Sequence, residues 1–126
     1  MNNEPLHTEE FVTLSNGHKL WVRQSISGEI PVLFIHGGPG GSSGMLHPVE
    51  EQLRKQGYQT IAYHQLGSIH SDNPDEPGQW TVEDFTNHLE QVCDALNLKK
   101  FYIFAYSWGV VLSLEYAIRH PKRLNG

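Results

Sequence analysis

Apolar and polar residues are distributed along this chain so that short strands and amphipathic helices can be told apart. Residues 11–14 and 20–26 flank Ser15-Asn16-Gly17-His18, an Asn-Gly turn of the kind that joins hairpin strands, and predict an antiparallel edge pair. Pro31-Val32-Leu33-Phe34-Ile35 is a continuous apolar run closed by glycines, the pattern of a central strand covered on both faces. A glycine-rich loop over 37–44 follows. Pro48 suits the first turn of a helix over 47–56, and Gly57 suits the residue just past its end. Residues 58–63 read as another strand. From 64 to 79 the composition turns to Gly, Ser, Asn, Asp and Pro, which predicts a surface connection. A helix then opens on Thr81 with Asp84 three residues on, a capping pair. Val82, Phe85, Leu89, Val92 and Leu96 recur on one face, acidic residues lead, and Lys99 and Lys100 trail. Residues 100–106 form the next predicted strand. Residues 108–119 are apolar on nearly every side, which predicts a buried helix stopped by Pro121.

Two strands followed by three strand-plus-helix units call for a right-handed, largely parallel sheet with helices on both faces. No internal repeat or linker divides residues 1–126, so they read as part of one domain. With 38% apolar and 18% charged residues the chain is an ordinary globule. A formal charge of -5, with no basic run, argues against nucleic acid or an anionic membrane as partner. Met1-Asn2-Asn3-Glu4-Pro5 has neither the positive start nor the apolar core of a secretory signal, and no window is long and apolar enough to span a bilayer. The single cysteine, Cys93, excludes an internal disulfide framework; it reads as buried filler, and a reducing cytoplasm is the expected location.

The chemistry centres on Phe104-Ala105-Tyr106-Ser107-Trp108-Gly109, an abrupt junction between a predicted strand and a predicted helix. A serine hydroxyl is a poor nucleophile unless a base takes its proton and donors stabilise the oxyanion that forms. A tight strand-to-helix turn lifts the hydroxyl out of the sheet and aims the first helical amides at the reacting carbonyl. Small neighbours are needed where the backbone turns so sharply, and Ala105 and Gly109 supply them. Ile35-His36-Gly37-Gly38-Pro39-Gly40 is a second strand running into a glycine turn, so Gly38 and Trp108 are the expected amide donors, with His36, Gly37, Pro39, Gly40, Tyr106 and Gly109 as supporting residues. His64, at the carboxyl end of a strand on the same rim of the sheet, is a candidate base beside its plainer reading as a loop histidine. His36 reads as a prop for its turn.

Other chemistries fit less well. None of the eight histidines pairs at ligand spacing with a carboxylate or Cys93, so no metal is expected. Gly38-Pro39-Gly40-Gly41-Ser42-Ser43 lacks the third glycine of a dinucleotide fingerprint, and no Gly-Lys-Ser follows for a phosphate loop. No cofactor is implied. Trp21 and Trp80 read as core or cap contacts rather than substrate readers, whereas Trp108 matters for its amide.

The motifs together resemble the α/β-hydrolases, and within them the N-terminal part of the proline iminopeptidases, serine aminopeptidases that release N-terminal proline. The resemblance rests on His36-Gly37-Gly38-Pro39-Gly40, on Tyr63-His64-Gln65-Leu66-Gly67-Ser68, and on Tyr106-Ser107-Trp108-Gly109 with Leu114-Glu115-Tyr116-Ala117. It implies a sheet of order 1-2-4-3-5, acyl transfer through Ser107, and a small peptide, amide or ester substrate. Ala105, Tyr106 and Val110 depart from the family's Gly-His-Ser-Trp-Gly-Gly elbow, and His64 stands where it has aspartate. The triad order Ser, Asp, His places acid and base after Gly126, and the cap that selects substrate is absent too, so this chain alone is expected to be nearly inactive. An esterase, amidase or lactonase on the same frame is the competing hydrolase reading. A non-catalytic remnant or interaction module, self-associating through an exposed sheet edge, is the competitor from another class.

Overall fold

The structure is a computed structural model that describes residues 6–38, 41–76 and 81–126. Five strands form one sheet: β1 (His7–Thr13), β2 (Lys19–Ser25), β3 (Pro31–Ile35), β4 (Gln59–Tyr63) and β5 (Tyr102–Ala105). Their order is β1-β2-β4-β3-β5, as expected. β1 pairs with β2 and β2 with β4 antiparallel, whereas β3 lies parallel to both β4 and β5. Three helices complete the frame: α1 (His47–Lys55), α2 (Val82–Ala95) and α3 (Trp108–Arg119).

Local chemistry explains the element ends. The hairpin turns through Gly17 at φ 95, a conformation that suits glycine. Pro48 lies in the first turn of α1, where its missing N–H costs nothing, and Gly57 ends that helix at φ 95. Thr81 Oγ1 accepts from the Asp84 amide at 3.1 Å and caps α2. The lysines expected to trail α2 lie beyond its last turn, because the helix ends at Ala95 and Asn97 adopts a left-handed φ of 56.

The alternation of β3 sends its side chains into two cores. Leu33 and Ile35 join Ile61 and Tyr63 of β4 against Phe85, Leu89 and Val92 of α2 and Leu112 and Tyr116 of α3. Val32 and Phe34 join Ala62 on the opposite face, where Val49 and Leu53 of α1 pack. The buried carboxylate of Glu50 on α1 accepts from Arg23 Nε and Nη2 of β2, at 3.0 and 2.6 Å, and ties that helix to the antiparallel strands.

Three expectations need correction. α3 is not a buried helix: Gly109, Leu112 and Tyr116 face inward, but Val110, Val111, Leu114 and Ile118 are exposed, because α3 lies over the last strand of the sheet and nothing among the described residues packs on its far side. The connection after β4 is not all surface, since His64, Gln65, Leu66 and Ser68 are buried. The outer edge of β5 is not wholly free either. Leu124 forms a parallel bridge to Phe101, Asn125 donates to the Phe101 carbonyl at 2.8 Å, and Ile103 donates to Gly126 at 2.9 Å. Trp80 lies outside the described residues.

Candidate functional site

The β5–α3 junction turns within two residues. Ser107 has φ 54 and ψ -121, a combination that L side chains avoid and that persists only where the surroundings enforce it. Part of that enforcement is sequence-local. Gly109 donates to the Tyr106 carbonyl at 2.9 Å and Val110 to the Ser107 carbonyl at 2.9 Å, so the helix starts at once. The rest comes from β3. Tyr106 donates to the Ile35 carbonyl at 3.2 Å, and a Cβ at position 109 would collide with the Ile35 carbonyl oxygen and lie 2.8 Å from that of His36. Only glycine permits α3 to start so close to the end of β3. Ser107 is exposed, at the positive end of α3, and its hydroxyl makes no hydrogen bond among the described residues.

The glycine loop meets this elbow. A Cβ on Gly37 would fall 3.2 Å from the Tyr106 ring and 3.3 Å from Ser107 Cβ, so the two segments are in contact. Gly38 follows at φ 136, exposed on the same rim. Gly41 packs back on Gly37, with its carbonyl accepting from Ser68 Oγ. Pro39 and Gly40 lie outside the described residues.

His36 is buried behind the loop. Its Nδ1 lies 2.6 Å from the Gly37 carbonyl and therefore carries the proton, which leaves Nε2 to accept from the Gln65 amide at 3.0 Å. Burial pushes its pKa down to about 4, with the Gly37 carbonyl opposing and His64 adding to the shift. A second ring proton would also face the Gln65 N–H. His36 is held neutral, with neither nitrogen free to move protons.

His64 is committed to a different serine. Its Nδ1 donates to the Ile69 carbonyl at 2.6 Å, and Ser43 Oγ donates to Nε2 at 2.8 Å. Trp21 lies 4.4 Å from its ring and His70 stacks at 5.9 Å. Burial lowers its pKa. These bonds make His64 a pin between the connection after β4 and the 3-10 turn at Ser43–Leu46.

Sequence reasoning passed over Gln65. Its side chain accepts from the Trp108 indole N–H at 3.0 Å and donates to the His36 carbonyl at 2.9 Å, joining elbow to loop. A polar residue just after a strand carries no periodic signal, and only the position of Gln65 within the 63–68 run marked it. Among the described residues no group of three or more His, Cys, Asp or Glu is arranged to hold a metal ion, and no helix is long and apolar enough to cross a membrane.

Comparison with known proteins agrees with this geometry. Residues 30–126 match the family described as alpha/beta hydrolase fold. A proline iminopeptidase of Flavobacterium johnsoniae is 34% identical over 111 residues, covering 86% of this chain and 37% of that protein. The crystal structure of the Mycobacterium smegmatis proline iminopeptidase superposes with a TM-score of 0.84 at 27% identity, over 93% of this chain and 41% of that one. An epoxide hydrolase from Vigna radiata, at TM-score 0.83 and 22% identity, shares the fold over 96% of this chain and 38% of its own. The chain thus spans about two-fifths of the length of the relatives it matches.

Proposed function

The chain belongs to the α/β-hydrolase fold family, and on that premise we propose that it is the nucleophile-bearing part of a serine hydrolase of proline iminopeptidase type. The observation that carries this reading is the backbone of Ser107, strained at φ 54 and exposed at the start of α3. In the proposed reaction Ser107 Oγ attacks the carbonyl carbon of an N-terminal prolyl residue, and the amides of Gly38 and Trp108 receive the charge that develops on the carbonyl oxygen. Small peptides, amides or esters are the substrate class. His36, Gly37, Tyr106 and Gly109 shape the site without touching the reacting atoms; Pro39 and Gly40 belong to the same loop by sequence.

A base and an acid are still required. His36 and His64 each have both ring nitrogens engaged elsewhere, so we assign those roles to sequence that this chain does not contain. Without base and acid beside Ser107, such enzymes keep at most about a thousandfold to ten-thousandfold acceleration over water, from oxyanion site and binding. A cytoplasmic setting suits the lone buried Cys93.

Reaction with a fluorophosphonate tests the nucleophile. The expected result is slow labelling confined to Ser107 and abolished in Ser107→Ala. Labelling spread over other serines, or none at all, would refute the catalytic reading for this chain alone. A second reading, an interaction module, is favoured by one observation: Val110, Val111, Leu114 and Ile118 present an uncovered apolar face on α3.

A further inference from the structure

The two proposed oxyanion donors come from segments far apart in sequence, and one oxygen atom must meet both. Their separation therefore has to be held within a few tenths of an ångström, by something more rigid than a glycine loop. Backbone contacts at Gly37 and Gly109 bring loop and elbow together, but glycine's permissive backbone does not by itself fix the direction of the loop's amides.

Gln65 spans the gap. It is 1% exposed and reaches Trp108, a donor residue, with its Oε1, and the carbonyl of His36, two residues before Gly38, with its Nε2. Its own amide is anchored on His36 Nε2, so the side chain departs from a fixed point. The chemistry of the two ends is directional. The indole N–H can only donate and the His36 carbonyl can only accept, so rotating the amide by half a turn would place donor against donor and acceptor against acceptor. Only a group with an acceptor and a donor on one planar end satisfies both. A carboxylate would satisfy the indole and face the carbonyl with like charge; a thioether would satisfy neither.

We propose that Gln65 is a positioning residue that holds the two halves of the oxyanion site in register, by clamping the Trp108 ring to the His36 carbonyl. This rests on the assignment of Gly38 and Trp108 as oxyanion donors. The clamp sets where the loop's next amides point and how α3 sits against them, so the two donor positions respond together to a change at Gln65.

Amide and indole resonances of the isotope-labelled chain test the coupling without requiring turnover. In Gln65→Met the Trp108 indole N–H moves upfield and the Gly38 amide shifts with it, whereas Gln52→Met, exposed on α1, moves neither. In Gln65→Glu the indole resonance stays near its original position while the Gly38 amide shifts. A Gly38 amide that is unmoved in both variants, or an indole that is unmoved in the Met variant, overturns the clamp. Should both variants fail to fold, the unsubstituted chain decides: a nuclear Overhauser contact between the Trp108 indole proton and the Gln65 side-chain amide is expected, and its absence overturns the proposal. Fluorophosphonate labelling remains separate. Coupled resonances without labelling of Ser107 would remove catalysis by these 126 residues alone and leave the clamp as a link between loop and elbow, while labelling with uncoupled resonances would remove the clamp alone.

Discussion

The α-carbon of Gly109 is held so near the carbonyl oxygen of His36 that an added Cβ would come within 2.8 Å of it. Both groups are backbone, so neither can swing aside. Gly109→Ala is expected to destabilise the fold by about 2–4 kcal/mol, in the range of severe overpacking, as measured by urea denaturation. Gly44→Ala is the control: its nearest neighbour would be Ser42 Oγ at 3.6 Å, and the change should stay within about 0.5 kcal/mol.

Strain at Ser107 predicts a gain in stability on losing the nucleophile. A φ of 54 with ψ -121 costs a non-glycine residue on the order of 1–3 kcal/mol, against roughly 0.5–1 kcal/mol of extra chain entropy for glycine. Ser107→Gly should therefore raise the denaturation midpoint, by about 1 kcal/mol in stability, and abolish fluorophosphonate labelling. Ser107→Ala should abolish labelling with no such gain. Equal midpoints for the two variants would show that the junction stores no strain.

Acid should begin to destabilise this fold below about pH 6.5, because His36 is held neutral when folded. His36 has a folded pKa of about 4, below its ordinary value near 6.5, so between these values the unfolded chain binds the proton and the folded one does not. Stability is at its plateau above pH 6.5 and falls as the pH drops towards 4, by roughly 3 kcal/mol from this residue alone. Burial lowers the pKa of His64 and His88 too, which adds to the fall. His36→Gln should flatten the profile of stability between pH 7 and 4.5; a profile as steep as that of the parent would assign the effect to the other histidines.

The uncovered side of α3 predicts self-association. Leu114 is 61% and Ile118 76% exposed, next to Val110 and Val111 on the same helix. Sedimentation velocity should show a concentration-dependent increase in mass, and Leu114→Lys with Ile118→Lys should reduce it, since single charges break apolar patches of this kind. A chain that stays monomeric at high concentration would remove the interaction reading.

Strand positions, helix positions and the elbow were legible because each depends on local rules: β-branched and aromatic runs, glycine at sharp turns, and caps such as Thr81 with Asp84; the strand order came from the family resemblance instead. Ser107 and Gly109 stood out for the same reason. His64 did not, because its rim position fits a base as well as a pin, and only the bonds to Ser43 and the Ile69 carbonyl separate the two. Gln65 was hidden for a related cause, since its partners, Trp108 and His36, lie 43 and 29 residues away. The exposure of α3 was misread because apolar composition says that a face wants cover, not that this chain provides it.

The division of β3 between two cores bears on how the molecule comes apart. Leu33 and Ile35 serve one face while Val32 and Phe34 serve the other, so a slip of one residue against β4 or β5 would exchange the contents of both cores at once. Neither layer can loosen its grip on β3 without disturbing its counterpart. The two cores should therefore melt in a single cooperative step, with the amides of Leu33 and Phe34 among the last to exchange with solvent, at the rate of global unfolding.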